Sequence, residues 1–271
     1  MTTSTAEIRR HEIAIEIGGV PLLLRTCDAA FRNLLEERYT GFVGASRNPR
    51  LQFDIDLVDS VESAPDEVEV TKHLGLWSLR RADFRAEWDA AAGKGRIRQS
   101  ANPYSIDSVL RIVHSLILAQ EGGFLLHSAS AIRNGCAFLF SGVSGAGKTT
   151  ISRLAPSDVT LLTDEVSYVR PRAHGYEACG TPFAGELARV GENCSAPLST
   201  LFFLEQGSEN CVAPIHPSDA VRSLLRNILF FAEGDPELVH LLFRTVFHFV
   251  ERVPVRKLTF LPDSRVWDLI G

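Results

Sequence analysis

Alternation of apolar and polar residues predicts a β-rich region in the first 120 residues. The clearest case is residues 51–57, where apolar side chains recur at every second position, as in a strand with one wet face. Asp28 is a candidate N-cap for a short helix that reaches about Tyr39. Further strands are predicted near residues 12–17, 20–24, 76–79, 83–88 and 95–99, and the acidic stretch 59–69 is predicted to be a loop.

The pattern changes to helical spacing in residues 105–120, where the apolar side chains share one face of a predicted helix. Gly122-Gly123 ends this helix, and we place a domain boundary between residues 120 and 121. Residues 1–120 are therefore predicted to form a small β-rich α+β module that ends in a helix. Residues 121–271 are predicted to form a second, α/β domain.

Strands and helices follow one another in the predicted second domain. A turn at Asn134-Gly135 joins two apolar runs, and prolines at the starts of two later segments are typical of the first helical turn. The predicted strands are residues 124–132, 136–140, 159–162, 166–169, 201–204 and 255–261, and the predicted helices are residues 217–231 and a segment that opens at Asp235.

A glycine-rich segment follows the strand predicted at residues 136–140. It fits the pattern G-x-x-x-x-G-K-[ST] and is followed by a sequence that can continue as a helix. Backbone N–H groups of such a loop surround phosphate oxygens, the lysine lies near the β- and γ-phosphates, and the Thr149 hydroxyl can hold Mg²⁺. We therefore predict binding of ATP and Mg²⁺, against the alternative of a glycine-rich turn that binds nothing. The predicted nucleotide-binding residues are Gly142, Val143, Ser144, Gly145, Ala146, Gly147, Lys148, Thr149 and Thr150, and Lys148 is also a predicted catalytic residue.

Two adjacent acids, Asp164 and Glu165, end an apolar run fifteen residues after Thr149. In P-loop enzymes an acid in this position holds Mg²⁺ directly or through water. We predict that Asp164 is the general base and that Glu165 is a Mg²⁺ ligand. The alternative is a pair of solvated loop acids, because Asp and Glu are mostly exposed in proteins.

Charge and composition narrow the function classes. A net charge of −5 without a long basic block does not favour nucleic-acid binding. The five cysteines are scattered and form no C-x-x-C pair, which favours reduced thiols over a disulfide framework or a zinc site. No signal peptide is visible, and the apolar segment 238–250 is too short to span a bilayer. These features predict a soluble cytoplasmic protein without membrane or nucleic-acid partners.

Three motifs together resemble the HPr kinase/phosphorylase family. His127, the glycine-rich loop and the pair Asp164-Glu165 occur in that family's order and over a similar span, and the resemblance covers residues 124–261. It implies a P-loop catalytic domain with a mixed β-sheet, similar to phosphoenolpyruvate carboxykinase. It also implies a serine kinase activity and is compatible with a homo-oligomer. The residues alone favour a buried, hydrogen-bonded strand histidine at position 127, whereas the resemblance implies that His127 is a catalytic proton carrier near the acceptor.

Later segments resemble a subgroup of HPr-kinase-related proteins encoded with peptide-modification systems, through residues 180–186, 196–198 and 203–206. Glu186 ends the first of these segments, and a loop there can close over the nucleotide or the metal, so Glu186 is a third metal-ligand candidate beside Thr149 and Glu165. The chain has Asp164-Glu165 where the family has two aspartates, and residues 1–120 do not match the family's N-terminal domain.

Two functions from different classes follow. The leading hypothesis is an ATP- and Mg²⁺-dependent kinase that transfers the γ-phosphoryl group to a hydroxyl, with a serine of a protein or peptide as the acceptor. The alternative is a non-enzymatic nucleotide-binding module that controls a partner in a peptide-modification pathway. A carboxykinase is favoured by fold analogy alone, because no oxaloacetate-binding cluster is visible.

Overall fold

The computed structural model of the chain describes residues 10–44, 48–59, 65–185, 187 and 190–271. It divides into two compact units, Met1–Leu110 and Arg111–Gly271. This division falls inside helix α2 (Pro103–Glu121). The predicted domain boundary, between residues 120 and 121, lies at the C-terminal end of the same helix. The described residues combine helices with two mixed sheets, which confirms the predicted α/β class at that level.

The first unit is built on a seven-stranded sheet, as far as the described residues show. Its elements are β1 (His11–Ile17), β2 (Val20–Thr26), α1 (Ala29–Arg38), β3 (Leu51–Leu57), β4 (Glu69–His73), β5 (Leu76–Arg81), β6 (Phe84–Asp89) and β7 (Lys94–Gln99). The strand order is β1-β2-β3-β7-β6-β5-β4, with β3 parallel to both neighbours and antiparallel pairs on either side. The alternation in residues 51–57 is confirmed, because Leu51, Phe53 and Ile55 are buried and the residues between them are partly exposed.

The prediction of a loop over residues 59–69 is wrong at its last residue, because Glu69 begins β4. Residues 60–64 of that stretch lie outside the described part of the chain. β4 pairs with β5 across a turn at Leu74-Gly75, where both residues have positive φ (49° and 85°). Leucine rarely adopts this conformation, so no turn-forming residue pair marked the hairpin in the sequence.

A buried acid links the two helices in the first unit. Asp107 is 4% exposed, and its carboxylate accepts hydrogen bonds from Arg38 Nε at 2.9 Å and from the Tyr39 hydroxyl at 2.8 Å. A buried charge is tolerated only when it is paired and hydrogen-bonded. This cluster therefore fixes the end of α1 against the first turns of α2.

Replacing Asp107 with alanine should lower the free energy of unfolding by about 3 kcal/mol, since Arg38 keeps its charge without its partner. Urea denaturation of the full chain measures this change. Asp219→Ala is the matched control, because the Asp219–Arg222 pair is exposed and its loss should cost at most about 1 kcal/mol. Equal losses in the two variants would contradict a structural role for Asp107.

The second unit contains the remaining sheet. Its elements after α2 are β8 (Phe124–Arg133), β9 (Cys136–Ser141), α3 (Lys148–Arg153), β10 (Thr160–Thr163), β11 (Val166–Pro171), β12 (Tyr176–Cys179), β13 (Ser195–Gln206), β14 (Cys211–Pro214), α4 (Pro217–Asn227), β15 (Ile228–Leu229), α5 (Pro236–Arg252), β16 (Val255–Phe260) and a 3₁₀ helix (Ser264–Leu269). The main strand order is β10-β8-β11-β12-β13-β16-β14, with β9 paired to β8 and β13 and with β15 paired to β8. β13 runs parallel to β9 and β16, and the other strand pairs among the described residues of this unit are antiparallel.

Strand β8 changes partners in its middle. Its first half pairs with β11 and β15, and its second half pairs with β9 and β10. The change occurs at His127-Ser128, where the Ser128 N–H donates to the Glu165 carbonyl oxygen at 3.1 Å and Ser128 lies opposite Ser141 of β9. This register brings His127, Glu165 and the end of β9, where the glycine-rich loop begins, to one place.

The predicted helix over residues 217–231 is wrong in its last turn. α4 ends at Asn227, and Ile228 and Leu229 form the short strand β15 opposite Leu126 and Leu125. The open edge of β8 supplies backbone partners that compete with another helical turn, and the periodicity of the sequence does not show this competition.

The C-terminal 3₁₀ helix packs against the elements that carry the glycine-rich loop. Trp267 is buried, its ring lies 5.5 Å from that of Phe140, and its Nε1 donates to the Ile151 carbonyl oxygen at 3.2 Å. Arg133 donates to the Ile270 carbonyl oxygen at 2.8 Å. The end of β9 and helix α3 are therefore both held by the C-terminal segment.

All five cysteines are free thiols. In the described ranges, no helix has both the length and the apolar character needed to cross a bilayer.

Candidate functional site

The glycine-rich loop connects β9 to α3 in a conformation that depends on Gly147. This residue has φ 111°, a region that side chains rarely adopt, and a Cβ there would lie 2.6 Å from Cζ of Phe260. The loop therefore needs glycine at this position both for its backbone conformation and for its close approach to β16.

Two polar side chains brace the loop. The Lys148 side chain is 8% exposed, and its ammonium donates to the carbonyl oxygens of Gly142 at 2.9 Å and Val143 at 3.3 Å. Gln206, the last residue of β13, donates from Nε2 to the Gly145 carbonyl oxygen at 2.6 Å. The sequence predicted Lys148 as a phosphate-binding residue, and it predicted neither the contacts of Lys148 with its own loop nor those of Gln206. Gln206 reaches the loop because β13 and β9 are neighbours.

A cavity of about 270 Å³ gathers most of the predicted site residues. Its lining consists of His127, Ser144, Gly145, Gly147, Lys148, Thr149, Thr150, Asp164 and Glu165. Three predicted nucleotide-binding residues do not line it: Gly142 accepts from Lys148, Val143 is 76% exposed, and Ala146 is buried in the core. Pockets for whole ligands measure about 300–1,000 Å³, so this volume suits the phosphate part of a nucleotide.

Asp164 lies almost completely inside the protein and holds a neighbouring loop. It is 7% exposed, and its two carboxylate oxygens accept backbone N–H groups of Gly185 and Leu187, each at 2.9 Å. A carboxylate has about four acceptor positions, and the described residues Gly185 and Leu187 occupy two of those of Asp164. The sequence placed this acid beside the phosphate site but did not show its bonds to the loop.

Glu165 is the more open acid of the pair, with 30% of its side chain exposed. Its Oε1 lies 3.8 Å from Nη1 of Arg111, and a Cβ at Gly185 would lie 2.5 Å from its Oε2. The guanidinium carbon of Arg111 lies 5.1 Å from the centroid of the Phe183 ring. Arg111 and Phe183 were not predicted as site residues. Arg111 belongs to no local motif, and in the segment 180–186 only Glu186 was chosen as a candidate.

His127 is half-buried beside two cations. Burial is the main cause that lowers the pKa of its imidazole, the positive charge of Lys148 adds to it, and Arg111 contributes in the same direction. The Glu165 carboxylate opposes these effects. The net lowering of the pKa favours the neutral imidazole near pH 7, a form that can accept a proton.

The predicted metal ligands are placed only in part. Thr149 and Glu165 line the same cavity, and their oxygens are of the kind that Mg²⁺ prefers, so these residues fit the ion. Glu186 lies outside the described residues. Where the chain is described, no group of three or more His, Cys, Asp or Glu side chains gathers around a common point.

Comparison with protein families assigns the chain to one family. The family model described as SynChlorMet cassette protein ScmC matches residues 97–270, more than half of the chain, so the chain belongs to this family. No curated protein matches the chain. The identification as an HPr kinase relative is therefore wrong. It rested on three short motifs, and phosphate-binding loops and strand-end acids serve the same local chemistry in unrelated families, whereas the ScmC match extends over whole strands and helices.

Proposed function

We propose that this member of the ScmC family binds ATP with Mg²⁺ and transfers the γ-phosphoryl group to a serine hydroxyl of a peptide or protein. The observation that supports the proposal is the shared cavity, in which the phosphate-binding loop, Lys148, His127 and the two acids meet. Phosphoryl transfer requires mainly positioning and charge neutralisation, and these residues can supply both. The corresponding fold assignment is a P-loop nucleotide-binding domain.

Each residue has a role that follows from its contacts. The loop would surround the phosphates, and Lys148, which lines the cavity, would neutralise their charge. Thr149 and Glu165 would hold Mg²⁺, which would supply positive charge against the phosphates. The nucleoside would lie outside the cavity, because its volume suits the phosphates alone.

The transfer step forms a bond between the serine Oγ and the γ-phosphorus. The bond from that phosphorus to the β,γ-bridging oxygen breaks, and its electron pair leaves with ADP. Asp164 would accept the hydroxyl proton, since in the described part of the chain each of its oxygens accepts one hydrogen bond and a carboxylate oxygen can accept more than one. His127, held neutral by burial and by Lys148, is a second proton carrier beside the acceptor.

A nucleotide-binding module without catalysis remains the second candidate, and one observation favours it. Both oxygens of Asp164 hold the loop at Gly185 and Leu187. An acid that links the phosphate site to a loop in this way can report the nucleotide state to a partner without accepting a proton.

Transfer from γ-labelled ATP tests the proposal directly. Purified protein, Mg²⁺ and labelled ATP are incubated with serine-containing peptides, and the matched control peptides carry alanine in place of every serine. The family name refers to a cassette, so products of neighbouring genes are the first acceptors to include. We expect label on the serine peptides only. A protein that binds Mg·ATP but labels neither these peptides nor the proteins of a cell extract would contradict the transferase and favour the binding module.

A further inference from the structure

Arg111 of α2 is held beside the site with little use of its hydrogen-bonding capacity. Its side chain is 24% exposed, and its Nε has no hydrogen-bond partner in the described part of the chain. Among the described residues Arg111 forms an ion pair with Glu165, whose Oε1 lies 3.8 Å from Nη1, beyond the range of about 2.7–3.2 Å for a hydrogen bond. A guanidinium has five donors, so this ion pair leaves Arg111 able to bind a further anion.

Phe183 lies next to this guanidinium. The ring centroid lies 5.1 Å from the Arg111 guanidinium carbon, within reach of a cation–π contact. The phenyl ring has no oxygen or nitrogen that could accept a hydrogen bond, so this contact leaves the N–H donors of Arg111 for an anion. Arg111 thus packs against an aromatic ring and is only loosely held by a carboxylate.

Glu165 connects Arg111 to the phosphate cavity. It lines the cavity together with His127 and Lys148. Its Oε1 lies 3.8 Å from Nη1 of Arg111, so the guanidinium lies beside the cavity. The site therefore has a second cation besides the lysine of the phosphate loop.

We infer that Arg111 binds the phosphoryl group during its transfer, as a second cation that acts with Lys148. The inference rests on the proposed transferase function. As the bond to the serine Oγ forms and the bond to the ADP oxygen breaks, negative charge is spread over the three equatorial oxygens of the phosphoryl group. The planar guanidinium can donate two parallel N–H groups to two of these oxygens, which an ammonium cannot do.

The test compares Arg111→Gln, Arg111→Lys and the control Arg222→Gln, which removes an arginine from the exposed pair with Asp219. Calorimetry measures the affinity for Mg·ATP, and separately the gain in affinity for Mg·ADP when aluminium fluoride is added as a planar mimic of the phosphoryl group. Transfer to the serine peptides is measured in parallel. Thermal unfolding shows whether each variant is folded.

We expect Arg111→Gln to abolish the aluminium fluoride gain and to slow transfer by about 10³-fold. Its affinity for Mg·ATP should stay within about threefold, because the contact forms mainly in the transition state. Arg111→Lys should keep part of the aluminium fluoride gain and part of the transfer rate, since lysine keeps the positive charge but lacks the planar guanidinium. Arg222→Gln should behave as the wild type.

The outcomes separate the inference from the proposed function. An Arg111→Gln protein that keeps the aluminium fluoride gain, or a wild type that shows none, would overturn the inference. A parallel loss of Mg·ATP affinity and of folding would also overturn it, because Arg111 would then be only a structural partner of Glu165. A wild type with an Arg111-dependent gain that labels no acceptor would support the inference and contradict the transferase.

Discussion

Lys148→Ala will lower the affinity for Mg·ATP by about 10- to 100-fold and will slow phosphoryl transfer by about 10³-fold. Hydrogen bonds to charged groups contribute about 1.5–3 kcal/mol, and each 1.4 kcal/mol corresponds to a tenfold change in affinity. The larger effect on transfer is expected because the ammonium also stabilises the negative charge on the phosphoryl group in the transition state. Calorimetry and labelled transfer measure the two effects separately.

The structure adds a reason to expect a specific effect of this substitution. Lys148→Ala removes the hydrogen bonds from the ammonium to Gly142 and Val143, but Gln206 still braces the loop at Gly145, so the loop should keep its shape. The control is Lys94→Ala, which removes an exposed lysine of β7 in the first unit. Equal Mg·ATP affinities for the wild type and Lys148→Ala would remove the claim that residues 142–149 bind phosphate.

Asp164→Asn will leave Mg·ATP affinity within about threefold and will slow transfer by at least about 10²-fold, the usual scale for a lost general base. Asparagine has a similar size, but its amide nitrogen cannot accept a proton or a hydrogen bond. The substitution also removes one of the two bonds to the N–H groups of Gly185 and Leu187, because an amide offers a single acceptor atom. Labelled transfer across a range of pH is the measurement.

The pH profile separates the two roles of Asp164. Loss of a base should remove the acidic limb of the profile, whereas release of the loop alone should lower transfer by the same factor at every pH. Asp219→Asn is the matched control, since this acid belongs to an exposed pair on α4. Transfer by Asp164→Asn at the wild-type rate would show that Asp164 is not the base.

Local structure was predictable where the cause is local. The turn at Asn134-Gly135 has positive φ at both residues (51° and 76°), as expected for this dipeptide in a two-residue hairpin. Asp28 caps α1 by accepting the Phe31 N–H at 2.8 Å, as predicted. These features depend on a few consecutive residues, and a single sequence contains all the information that they need.

The family, unlike the local structure, could not be predicted from short motifs. The order of His127, the glycine-rich loop and Asp164-Glu165 suggested an HPr kinase relative, but the chain belongs to the ScmC family. Short motifs report the chemistry of phosphate binding, which many families share, and the rest of a chain carries its ancestry. We still propose phosphate binding and transfer, because His127, residues of the glycine-rich loop, Asp164 and Glu165 line one cavity.

The sequence by itself determined the alternating strands, the helix caps, the phosphate-loop motif and the acids beside it, because each depends on neighbours within a few positions. Only the tertiary structure decided that α4 stops at Asn227, since the edge of β8 competes for Ile228 and Leu229. It also decided that Asp164 holds the loop at Gly185 and that Arg111, far away in the chain, lies against Phe183 and Glu165. Contacts between distant segments depend on strand register and packing, and no local pattern of residues encodes them.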